Sequence, residues 1–107
     1  MIQVVYYRPY NRLTVEGHAN AGEPGHDLVC AGVSALAYTL AANVGNMVDN
    51  GQARNVVVKL EPGDAEISCC PRTKYTAIVA RIFEAVCVGF EMLAASNPQY
   101  ISYEIRG

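Results

Sequence analysis

A histidine, a cysteine and the glycine-rich run between them are the residues of this chain best suited to chemistry. They lie in 17-GHANAGEPGHDLVCAGVSAL-36, which holds both histidines, His18 and His26, and one of the four cysteines, Cys30. A cysteine–histidine pair is the minimum for thiol nucleophilic catalysis. The imidazole takes the thiol proton and later protonates the leaving amine. Apolar residues recur at helical spacing from Val29 onward, and Asp27 suits the N-cap of that helix. Cys30 then falls at about the third helical residue, where the positive end of the helix dipole favours thiolate over thiol. Ser34 is four residues further on and shares the helix face of Cys30. Backbone donors at the helix start are placed to hold a developing oxyanion. Cys30 lies twelve positions after His18. The loop between them, Ala19, Asn20, Ala21, Gly22, Glu23, Pro24, Gly25 and His26, can bring the two side chains together and act as a lid over substrate.

Taken singly, each residue has a plainer explanation. Cys30 fits a small apolar position in the first helical turn, and Asp27 a simple cap. His18 at a strand end and His26 beside the cap suit solvated surface positions. Ser34 can bond back to a helix carbonyl, and the glycines can serve turns alone. Only the conjunction within 20 residues favours a thiol hydrolase. A zinc site drawn from His18, His26, Asp27 and Cys30 ranks lower, because the ligands have no familiar spacing and Asp27 is better explained as the cap.

The elements that must position these groups form a compact alternation. Residues 2–7 (IQVVYY) read as a strand, and RPYN at 8–11 as a turn. In 12–18 Leu13, Val15 and Gly17 face one way, and Arg12, Thr14, Glu16 and His18 the other. A helix follows over about 27–49 with Val29, Val33, Leu36, Leu40, Val44 and Met47 as its stripe, and NGQ at 50–52 ends it. Residues 53–61 and 64–70 form a hairpin through the turn EPGD. A second helix spans about 72–95, its stripe running through Tyr75, Ile78, Val79, Ile82, Phe83, Val86, Phe90 and Leu93 until Asn97-Pro98 stops it. Residues 99–105 form a last strand. The order ββαββαβ predicts an α+β domain, a mixed or antiparallel five-stranded sheet packed with two long helices.

Composition narrows the function classes. The chain has 107 residues, is 51% hydrophobic and 17% charged, and carries a net charge of −2. That length suits one domain over 1–107 with a single core. The acidic balance argues against direct nucleic-acid binding, which needs excess Lys and Arg. No signal-peptide pattern is visible at the N-terminus. Polar residues or glycine interrupt every apolar run, so no membrane span is expected. A soluble cytoplasmic protein is the expectation, and its cysteines are then read as free thiols. Cys69 and Cys70 are adjacent and cannot easily bridge each other, so they are expected to be structural thiols at a strand end. Cys87, in IFEAVCVGF, fits a small core residue.

GHA at 17–19, the glycine-containing loop and DLVCAGVSAL at 27–36 resemble the signature of the ribosomal-processing cysteine protease family, Prp. The resemblance runs along the whole chain in length and order of elements, with its specific part in that stretch. It implies removal of an N-terminal extension from a bacterial large-subunit ribosomal protein, with the cut after an aromatic pair and before a small residue. It implies Cys30 as nucleophile, His18 as general base, and Gly17, Asp27 and Ser34 as supporting or substrate-binding residues. It also implies a homodimer, a mobile loop over 19–26, and no metal or organic cofactor. The competing class is a non-catalytic ribosome-associated binding or assembly factor, since fold alone does not decide function. Such a module has no use for the Cys30 thiol.

Overall fold

Extended, β-branched segments at both ends of the chain and between its two helices assemble one sheet. The computed structural model describes residues 1–18 and 26–107. Strand β1 is Ile2–Tyr7 and β2 is Arg12–Glu16, joined by a short 3₁₀ turn, Arg8–Tyr10, that Asn11 closes at φ 45°. Asparagine tolerates that left-handed geometry. Helix α1 is His26–Asp49, β3 is Ala53–Glu61, β4 is Asp64–Pro71, α2 is Thr76–Ser96 and β5 is Ile101–Arg106. The expected ββαββαβ order and α+β architecture are therefore present.

The five strands lie in the order β3-β4-β2-β1-β5. β1 pairs parallel with β5, and every other pair is antiparallel. The sheet is thus mixed, with β3 and β5 at its edges. The core lies between the sheet and the two helices, which also pack on each other. Leu13, Ile67 and Ile101 from the strands meet Leu40 and Val44 of α1 and Val79, Phe83 and Phe90 of α2, all fully buried. The rings of Tyr6 and Phe83 stack with centroids 6.2 Å apart. Cys87 is buried in this core, as its apolar setting suggested.

Four expectations shift. β2 stops at Glu16, so His18 lies beyond the strand rather than on its last position. α1 opens at His26, so Asp27 sits inside the first turn instead of at the N-cap, and Cys30 is the fifth helical residue. An acidic group in that turn still meets the positive end of the helix dipole. α2 begins at Thr76, because a turn closed by the Tyr75 N–H on the Arg72 carbonyl (2.8 Å) precedes it. Its buried face is Val79, Phe83, Cys87 and Phe90, while Ile78 is exposed. Ile78 lies about 100° around the helix from Val79, off the line facing the sheet.

A further correction concerns α1. Over Asp27–Asp49 it is long and apolar enough to cross a membrane by length and composition. The interruptions seen in the sequence there are glycine, serine, threonine and asparagine, which carry no charge. Here Val29, Val33, Leu40 and Val44 form the one face of the helix that is buried in the core.

Candidate active site

The site forms where β2 runs out. Gly17 follows the strand with φ +93°, and a Cβ there would overlap the Met1 carbonyl oxygen, so only glycine fits. The Gly17 N–H donates to the Gly63 carbonyl (2.9 Å), extending the β2–β4 pairing by one step. His18 comes next. Its carbonyl accepts from the Met1 amino nitrogen (2.8 Å), and its exposed imidazole lies over Gly63.

Gly63 and Pro62 form the two-residue turn between β3 and β4. Gly63 has φ +72°, which suits proline and glycine at the two central positions of a type II turn. Lys59 straps the turn: its ammonium lies 2.6 Å from Asp64 and 3.9 Å from Glu61. The hydrogen bond to Asp64 raises the Lys59 pKa.

Across from this turn runs α1. Cys30, Ser34 and Tyr38 follow one another at intervals of one helical turn, and all three line the same cleft of about 270 Å³. His18 and Gly17 line it too. Its apolar walls include Ile2, Val15, Val33, Leu60 and Pro62. Cys30 is half-buried and packs against the core, while Ser34 is exposed. The fold therefore brings His18, Cys30, Ser34 and Gly17 to one cavity.

It does not bring Asp27 there. Asp27 is exposed in the first turn of α1 and is absent from the cleft walls. Of the expected mobile loop, Ala19 to Gly25 lie outside the described residues. His26 is helical in its backbone, and its side chain lies outside what is described. Among the described residues no group of three or more His, Cys, Asp or Glu side chains is assembled as for a metal.

The other cysteines are placed for different roles. Burial pushes the thiols of Cys69 and Cys87 up to about 11, which keeps both protonated and unreactive near neutrality. Cys70 points to the opposite face of β4 from Cys69 and is exposed. None of the three lines the cleft.

Tyr38 and Gly63 were not singled out from the sequence. Tyr38 was within reach, since it continues the Cys30–Ser34 spacing by one more turn. Gly63 was legible only as a turn residue, because its approach to His18 depends on strand pairing.

Comparison with known proteins follows the same line. A family model described as Cysteine protease Prp matches residues 1–102. The crystal structure of SMU.848 from Streptococcus mutans is 27% identical, with 98% of this chain and 93% of that one covered and a TM-score of 0.67. The essential ribosomal processing protease Prp from S. aureus, in complex with a covalently linked product peptide, superposes with a TM-score of 0.67. It is 20% identical, over 98% of this chain and 97% of that one. No curated protein matches.

Proposed function

The chain belongs to the cysteine protease Prp family, and on that premise we propose that it removes the N-terminal extension of a bacterial large-subunit ribosomal protein. It is a cysteine protease, so the non-catalytic binding module is not carried forward. The S. aureus Prp of similar fold is described as a ribosomal processing protease, which supports the same substrate class here. The observation that carries the assignment of roles is the single cleft lined by Cys30, His18 and Ser34.

In this reading His18 takes the proton from Cys30 Sγ, and the thiolate attacks the scissile carbonyl carbon. The first-turn N–H groups of α1, which lack intrahelical acceptors, supply donors to the oxyanion. The C–N bond then breaks as the His18 imidazolium protonates the leaving amine. Water hydrolyses the resulting thioester and restores Cys30. Gly17 lets the chain pass close under Met1 and into the cleft as a supporting residue, Ser34 contacts substrate, and Asp27 acts on the α1 terminus from outside the cleft.

The cut falls after an aromatic pair and before a small residue. The apolar walls of the cleft suit the aromatic side chains. An extended substrate has an edge to pair with, because β3 is an outer strand whose Leu60 and Glu61 line the cleft. N-methylation along the substrate backbone should then abolish cleavage; unchanged cleavage would refute that docking. The whole of 1–107 acts as one protease domain, as a cytoplasmic homodimer whose size light scattering would report.

The deciding experiment is mass spectrometry of a peptide carrying the ribosomal protein's N-terminal extension, incubated with the wild type, Cys30→Ala and His18→Ala. One cut after the aromatic pair, lost in both variants, supports substrate and dyad together. A cut that persists in Cys30→Ala would remove the nucleophile assignment, and no cut by the wild type would remove the substrate.

A further inference from the structure

The geometry assigns Gly63 the task of positioning the His18 imidazole, with the β3–β4 turn as the seat of the general base. A Cβ on Gly63 would overlap His18 Nε2 and lie 2.5 Å from Cε1 and 3.0 Å from Cδ2. The three atoms nearest to that Cβ all belong to the imidazole. The missing side chain is therefore the space in which the ring rests.

The two residues are also tied through their backbones. The Gly17 N–H donates to the Gly63 carbonyl, one residue before the histidine (2.9 Å). The Lys59–Asp64 pair (2.6 Å) fastens the turn from the other side. The imidazole itself is exposed, and among the described residues no core packing clamps it in place. A side chain at 63 would then push the ring aside at little cost to folding. Catalysis would bear the cost, because a general base must stay within hydrogen-bond reach of its proton, and displacement by about 1 Å can lower the rate about 100-fold. The inference rests on His18 being the base.

Gly63 also has a positive φ, and a substitution strains the backbone for that reason alone. Gly51 separates the two effects. It has φ +70° in the turn after α1, and no atom lies within 4 Å of where its Cβ would stand. Gly51→Ala carries the backbone strain without the collision.

The test compares Gly63→Ala and Gly51→Ala with the wild type by thermal melting, peptide cleavage and NMR of the histidine imidazoles, with His18→Ala identifying the His18 signals. Both variants should melt slightly earlier, to a similar extent. Only Gly63→Ala should lose kcat, about 10- to 100-fold with KM within about twofold, and shift the His18 imidazole signals. Should Gly63→Ala unfold, Gly63→Asn repeats the test, since asparagine tolerates positive φ. A Gly63 variant with wild-type kcat and unmoved His18 signals overturns the inference. If His18→Ala cleaves as fast as the wild type, the base assignment fails instead, and the imidazole signals alone decide whether Gly63 seats the ring.

Discussion

Ser34 stands one helical turn beyond Cys30 on α1, and both residues line the cleft that His18 also lines. With Cys30 as the proposed nucleophile, a neutral hydroxyl beside it suits a contact to substrate better than a proton relay. Ser34→Ala should therefore cost one hydrogen bond, about 1 kcal/mol, and lower kcat/KM about 3- to 10-fold. Cys30→Ala should lower turnover by about 10³-fold or more, since the covalent step disappears. Steady-state cleavage of one peptide by the two variants checks both. A Ser34→Ala loss as deep as that of Cys30→Ala would place the hydroxyl in the chemistry itself.

Two helical glycines should respond to alanine with opposite sign. At Gly45 of α1 nothing lies within 4 Å of an added Cβ. Gly45→Ala gains helix propensity and should stabilise by about 0.5–1 kcal/mol. At Gly89 of α2 an added Cβ would stand 2.6 Å from Leu36 Cδ2 of α1. The overpacking there, about 1–3 kcal/mol, outweighs the same gain, so Gly89→Ala should destabilise by about 1 kcal/mol. Urea denaturation of the two variants side by side decides it; equal shifts would mean that Leu36 rotates away freely.

Phe83 ties the helix layer to the sheet. Its ring is fully buried and stacks on Tyr6 of β1, with the ring planes 12° apart. Phe83→Ala should cost about 3–5 kcal/mol through lost burial and the cavity left behind. Thermal unfolding should show a large drop in Tm, and a loss below about 1 kcal/mol would mean that the core collapses around the gap.

Stability should fall at alkaline pH through two thiols that lie away from the cleft. Burial holds Cys69 and Cys87 up to about 11 in the folded state. An unfolded thiol titrates at about 8.5. Between those values the native state keeps protons that the unfolded chain has lost, so stability declines as pH rises. Their contribution is fully present below pH about 8. Burial also pushes Tyr6 up to about 12 and extends the decline upward. The denaturation midpoint should fall steadily from pH about 8.5 to 11, less steeply in Cys69→Ala; a flat profile would contradict the buried-thiol account.

What could be read along the chain was set by contacts a few residues apart. The β-branched and aromatic run at 2–7, the alternation in 12–18, the 3.6-residue period of α1 and the EPGD turn all report local backbone geometry, which is why the ββαββαβ order was legible. Cys30 and Ser34 share a helix face for the same reason. The misplaced element ends, at His26 and Thr76, fall where local preference is weakest and a turn or first helical bond decides. Sequence spacing could not say that β1 would pair parallel with β5, joining the first and last strands. Nor could it say that Gly63 would meet His18, forty-five positions earlier. That meeting follows from the antiparallel pairing of β2 with β4, which carries the chain past Glu16 onto the turn before Asp64. The residue types of His18 and Cys30 were therefore legible in the sequence, and the place where the imidazole rests was decided by the tertiary structure, because only strand pairing closes so long a loop.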